Sequence, residues 1–236
     1  MLRIFLFSLF IITQQCWAAG FGINATRLIY PEEANSIATE LRNTLNNEPL
    51  LVQVGVSSKA DTRTSAPFLV TPPLFRLEPQ SINQVRIAYN GAALPHDRES
   101  VFYLHATAIA ASKLSEKNQS QVDVQANARF GVGSVIKLFF RPVGLRGSSA
   151  DAQNNLQFSR ETGGLRVINP SSYYISFAGV QVSGSWLPLT EPGALMLAPG
   201  SSYTWPVKAP LSAGSQVRWQ TINDSGIHND HSATLP

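Results

Sequence analysis

GSVIKLFFRPVGLRGSSADAQNN, residues 133–155, holds the end of a strand and the end of a domain in one stretch. Ser134 to Phe140 is β-branched and aromatic, the composition of a short buried strand. Arg141-Pro142 stops it, since proline brings no N–H to a sheet. Two glycines and a run of small polar residues follow, which is linker composition. A division is expected here, into an N-terminal unit of residues 20–142 and a C-terminal unit of residues 147–236. One residue resists this reading. Lys137 interrupts the apolar run, and an ammonium group is costly to bury without a partner.

On both sides of this stretch the pattern is that of strands. LLVQVGVSS (50–58), INQVRIAY (82–89), VFYLHATAI (101–109), LRVIN (165–169) and YYISFAGVQV (173–182) are short, roughly alternating and rich in β-branched or aromatic residues. Turn markers separate them, among them Asn90-Gly91, Pro170-Ser171 and Pro199-Gly200. No segment keeps an apolar period of 3.6 through three turns. EEANSIATELRN comes nearest, and it reads as a strand with polar faces. The fold class is therefore all-β, in antiparallel sandwiches. The terminal HNDHSATLP has no core pattern and is expected to be loose.

The N-terminus speaks to compartment. Arg3 precedes an apolar stretch from Ile4 to Ile12, and small residues follow at Ala18 and Ala19. This is the form of a secretory signal peptide over residues 1–19, cleaved after residue 18 or 19. The apolar stretch is too short to span a bilayer, which takes ~20 residues. Cys16 raises a lipoprotein alternative, but Thr13-Gln14-Gln15 lack the small apolar character of a lipid-attachment site. Cleavage at either position removes the only cysteine and leaves about 217 of 236 residues without disulfides. The formal net charge is +3, spread without a dense basic run, so nothing points to nucleic acid or to membrane insertion.

Chemistry-bearing motifs are sparse. There is no G-x-S-x-G, S-x-x-K, H-E-x-x-H or P-loop. GVGS (131–134) lacks the strand-to-helix context of a phosphate site. His228 and His231 form an H-x-x-H pair without further ligands nearby, and His96 and His105 have no evident partners. Sequons at Asn24, Asn118 and Asn223 matter only in a eukaryotic secretory route. More telling is the pair of segments before the opening stretch. SKLSEKNQSQ (112–121) reads as a mobile loop. After it Val122, Val124, Ala126, Ala128, Phe130 and Val132 alternate with polar residues and glycine, giving a strand with one apolar face.

Several of these features occur together in one family. INATRLIYPEE places Arg27 in an early strand, IKLFFRP closes the first unit, and NDSG stands near the C-terminus. FLVTPPLFRLEP (68–79) and RESVFYLHATAI (98–109) lie between them in the expected order. The mature chain resembles the periplasmic chaperones of the chaperone–usher pathway for pilus assembly. The resemblance implies two immunoglobulin-like domains in a boomerang arrangement, no enzymatic activity and no cofactor. It implies that Arg27 and Lys137 anchor the C-terminal carboxylate of a pilus subunit, chemistry that suits charge-assisted donors. It implies too that Val124, Ala126, Ala128, Phe130 and Val132 form a strand lent to the subunit. Lys137 lies on the opposite parity from Val132, so a bulge at Gly131 or Gly133 is expected to re-aim it. Glu99, Arg141 and Asp224 are implied as ion pairs fixing the two domains.

The implied partners are pilus subunits and an outer-membrane usher, and an exposed edge strand also allows self-association of the free protein. The chain departs from the family pattern in having Ala110-Ala111 where prolines are common. It also has a longer loop before the donor strand without the cysteine pair of long-loop members, so its subgroup stays open. Two readings of other classes compete. A pilus subunit or adhesin would end in a subunit-type C-terminal strand. A secreted metal-dependent enzyme would need ligands beyond His228 and His231.

Overall fold

The computed structural model describes residues 20–111, 131–208 and 210–236. Nine strands build the N-terminal unit: β1 (Phe21–Ile23), β2 (Arg27–Pro31), β3 (Ile37–Asn43), β4 (Leu50–Ser57), β5 (Phe68–Thr71), β6 (Leu74–Leu77), β7 (Ser81–Tyr89), β8 (Ser100–Ala110) and β9 (Gly131–Arg141). They form a sheet of order β1-β3-β7-β5 and a sheet of order β2-β9-β8-β4-β6. The polar-faced segment around Ile37 is indeed a strand. Its Thr39, Leu41 and Asn43 turn inward while the residues between them face water.

The core between these sheets follows from the period of two. Leu28 and Tyr30 of β2, Leu104 and Ala106 of β8, and Leu138 and Phe140 of β9 are all buried. Tyr30 packs on Phe68, Tyr89 and Phe140. Its hydroxyl donates to Ala34 O at 2.9 Å and accepts from Tyr89 N at 3.0 Å. A buried side chain of this size is worth ~1.5–3 kcal/mol. A slip of one residue would turn each such chain to the other face. Alternation then sends Arg27, Ile29, Lys137, Phe139 and Arg141 to the opposite side, away from the core.

The C-terminal unit holds α1 (Ser149–Asn154), β10 (Gln157–Glu161), β11 (Gly164–Ile168), β12 (Ile175–Val182), β13 (Ser185–Trp186), α2 (Pro192–Leu195), β14 (Met196–Leu197), β15 (Ser202–Pro206), β16 (Gln216–Ile222) and β17 (His228–Thr234). A three-stranded sheet, β10-β11-β15, faces a sheet of order β13-β12-β16-β17, with β14 also on β12. Trp205, Phe177 and Leu165 are at the centre of a second core, separate from the first.

Three expectations are corrected. The linker composition of residues 141–155 conceals a helix: Ser148 caps α1 by accepting from Asp151 N at 3.1 Å, a serine-based start that small polar composition masks. The segment from His228 is not loose. It pairs with β16 along the whole ladder from Ile222↔His228 to Gln216↔Thr234, so backbone hydrogen bonds order a strand that has little apolar pattern of its own. No bulge intervenes between Val132 and Lys137. The β8–β9 register runs unshifted from Ile109↔Gly131 to Ser100↔Phe140, and the two side chains simply face opposite sides.

Candidate functional site

Strand β2 runs parallel to β9, with Arg27 opposite Lys137 and Pro31 opposite Arg141. The first of these rows sets two cations side by side on the face away from the core, where like charges repel. Arg27 Nη1 donates to Ile222 O at 2.7 Å, and Lys137 Nζ donates to Ser176 Oγ at 3.1 Å. Both partners are neutral groups of the C-terminal unit. Among the described residues no carboxylate forms a salt bridge with either cation, and the buried Nε of Arg27 has no hydrogen-bond partner. Burial, reinforced by the charge of Arg27, lowers the Lys137 ammonium to about 8. Burial also pulls Arg27 down, partly offset by Asp224. A small cavity of ≈ 280 Å³ opens here, lined by Thr26, Arg27, Val135, Lys137, Ile222 and His228 among others.

Four residues further along β9, the charges are closed. Arg141 Nε donates to Glu99 Oε1 at 2.7 Å, and its two terminal nitrogens donate to the Asp224 carboxylate at 2.7 and 3.1 Å. Glu99 is buried and also accepts from Tyr174 N at 2.8 Å, while Asp224 accepts from Ser149 Oγ at 2.9 Å. The two carboxylates are shifted in opposite directions. Burial raises Glu99 despite Arg141, whereas for Asp224 the opposing burial is outweighed by its hydrogen bonds from Arg141. The more exposed position of Asp224 accounts for the difference. Across the same junction Phe139 packs on Tyr174 at 5.7 Å between ring centres, and Glu99 N donates to Ser172 O at 2.9 Å. Among the described residues, Arg27, Lys137 and Arg141 together meet two carboxylates, Glu99 and Asp224, so that cluster is one negative charge short.

The donor-strand residues divide. Val124, Ala126, Ala128 and Phe130 lie outside the described residues. Val132 belongs to β9 and is 56% exposed. Strand β2 covers one edge of β9 only from Lys137 to Arg141, so residues 131–136 have no strand neighbour on that edge among the described residues. Their main-chain groups on that side form an open sheet edge.

The histidines have partners that the sequence did not reveal. His105 is buried against Ser57 Oγ at 2.5 Å and Lys59 O at 3.2 Å, and His96 meets Glu32 at 3.0 Å. His231 stacks on Trp219 and bonds Thr221 Oγ1, while His228 borders the small cavity. Sequence reasoning also missed Ser176 and the Ile222 carbonyl, since neither carries a motif. In the NDSG motif the glycine matters as well as the carboxylate. Gly226 has φ +82°, and a methyl group there would run into Thr26 Oγ1.

Comparison with known proteins bears on this geometry. Residues 20–146 match the pili and flagellar-assembly chaperone family, PapD N-terminal domain, and residues 151–233 match the C-terminal domain of the pili assembly chaperone PapD. The probable fimbrial chaperone SfmC of Escherichia coli K12 is 33% identical over 226 residues, covering 96% of this chain and 93% of SfmC. The chaperone protein LpfB of Salmonella typhimurium is 31% identical, over 93% of this chain and 90% of its own. Among solved structures, the YadV chaperone matches with a TM-score of 0.75 and 30% identity, over 91% of this chain and 99% of its own. A structure of the Salmonella enterica SafA pilin in complex with the SafB chaperone matches with a TM-score of 0.74 and 29% identity, covering 92% and 97%.

Proposed function

The chain belongs to the PapD-like family of pilus-assembly chaperones, and from that premise we propose that it binds pilus subunits by their C-terminal carboxylate and completes their fold with a lent strand. The observation that carries this reading is the Arg27–Lys137 row. Two partly buried cations share one face, the buried Nε–H of Arg27 has no acceptor among the described residues and a cavity opens over them. A carboxylate supplies the missing negative charge and the missing acceptor together. The open edge of β9 at residues 131–136 begins beside this anchor and offers main-chain pairing to an incoming strand. Residues 122–132 would fill the groove of the subunit, with Val124, Ala126, Ala128, Phe130 and Val132 as the inserted side chains.

On this reading residues 1–19 direct the chain to the periplasm, residues 20–142 form the unit that holds the subunit, and residues 147–236 form the second wall of the cleft. Glu99, Arg141 and Asp224 hold the two units at a fixed angle. An outer-membrane usher then receives the complex, and a neighbouring subunit's strand replaces the lent one. The pilin complex of the SafB chaperone supports the choice of partner class.

Co-purification from the periplasm tests the anchor. A candidate pilus subunit is expressed with the wild-type chain, with Arg27→Ala and with Lys137→Ala. The subunit is expected to be recovered with the wild type and lost with both variants, while both variants remain folded by circular dichroism. Equal recovery with all three chains would overturn the reading.

A further inference from the structure

We propose that the outward face of the β12–β16–β17 sheet, ending at Trp186, is a second docking surface for the folded body of the same pilus subunit. This deepens the function proposed above and rests on it. A register shift between Phe177 and Gly179 is the device that makes the surface. Phe177 pairs with the buried Thr221 on the core side, and Gly179 pairs with Gln220 on the other. The bulge re-aims the strand, as such bulges do. Gly179 and Gln181 thereby come out on the face that carries Ile222 and His228 at the anchor cavity.

Three rows cross that face. Ile222 and His228 border the cavity, then come Gly179, Gln220 and Asp230, then Trp186, Gln181, Arg218 and Ser232. Gln220 and Asp230 of the second row and all four residues of the third line a groove of ≈ 740 Å³. A hairpin carries Trp186 there. A tight hairpin through Ser183 (φ 47°) and Gly184 (φ 81°) returns the chain. Gln181 Nε2 donates to Gly184 O at 2.8 Å, and Leu187 N donates to Val180 O at 2.9 Å. The indole reaches over the bare Gly179, where a methyl group would sit 2.7 Å from its Cζ3. Its other side is open, leaving the residue 65% exposed.

An exposed tryptophan inside a polar rim has the anatomy of an interface hot spot. Arg218 and Asp230 offset each other, so the surface selects no charge. Continuity identifies the occupant. From Ile222 to Arg218 is four residues of strand, about 13 Å at ~3.3 Å per residue. A folded domain of ~100 residues has a radius of gyration of about 13 Å. A subunit of that size whose last residue sits on Arg27 and Lys137 has the reach to meet the tryptophan on the same face.

The test compares two probes, the pilus subunit recovered with the wild-type chain and a synthetic peptide of its C-terminal strand. Trp186→Ala is expected to speed dissociation of the intact subunit about tenfold, the scale of a single hot-spot side chain. It is expected to leave peptide binding and the thermal midpoint unchanged. Gly179→Ala, which lifts the indole, is expected to act in the same direction. Lys137→Ala weakens both probes if the anchor reading holds, so failure of the anchor and failure of the platform are separately visible. Unchanged dissociation of the intact subunit from Trp186→Ala would overturn the proposal. So would equal loss of the peptide.

Discussion

Lys137 and Arg141 stand on the same face of the same strand, one turned to an unmatched arginine and the other enclosed by carboxylates. Arg141 has three hydrogen bonds to Glu99 and Asp224. Lys137 has a serine hydroxyl, and beside it the repulsion of Arg27. A network closed on itself has its desolvation cost offset within the chain, and loss of one member leaves buried charge behind. An unmatched cation pair contributes no such stability to the fold. The contrast separates charges paired across the two units from charges that meet no carboxylate among the described residues.

Arg141→Ala should break the closed side. Glu99 would be left buried without its cation, at a cost of about 3–5 kcal/mol, read as a lowered midpoint in calorimetry. A midpoint equal to that of the wild type would erase the distinction between the two rows. Lys137→Ala should act on the open side alone. Subunit affinity is expected to fall by about 2–5 kcal/mol in a dissociation measurement, the usual cost of truncating a buried charge pair. The free chain should keep its thermal midpoint or gain slightly, because a like-charge contact is removed.

Gly226→Ala joins the two regions, since its turn carries Asp224 and leans on Thr26 next to Arg27. The left-handed conformation at φ +82° costs a residue with a Cβ about 1–2 kcal/mol, and the methyl group also displaces Thr26. Loss of both thermal stability and subunit affinity is expected, and an effect confined to one of them would show that the regions are independent.

The smallest expected effect is with pH. Lys137 in the free chain loses its proton near 8, well below its ordinary 10.5, because burial and Arg27 disfavour the charge. Binding a carboxylate above that pH must take up the proton again. Affinity should therefore be flat below pH 8 and fall about tenfold per unit above it. The free chain responds with the opposite sign. Its unfolded form binds more protons between about 8 and 10.5, so this group makes folding more favourable as pH rises through that window. Titration calorimetry at pH 7, 8 and 9 would show the slope, and Lys137→Arg should remove it. A flat wild-type profile would mean that the lysine is not the anchor.

Much of this architecture was legible because strands advertise themselves through alternation. Leu50–Ser57, Ser81–Tyr89 and Ser100–Ala110 carry their inward residues every second position. Strand β17 was not legible. Its residues are mostly polar and solvent-facing, and the strand exists because β16 offers it a full ladder of backbone groups. The bulge at Phe177–Gly179 and the placement of Trp186 were equally silent, since the sequence YYISFAGVQV alternates without announcing a change of face.

By itself the sequence determined the all-β class and the oddity of a lysine in an apolar strand. Local composition and a period of two carry that information. Only the tertiary structure decided that Arg27 is the neighbour of Lys137, that Ser176 and Ile222 reach them from the second unit, and that Arg141 is already paired. Parallel pairing between distant segments has no local code. Its register is set where Leu28, Tyr30, Leu138 and Phe140 share one core, and the charges on the opposite face follow from that packing.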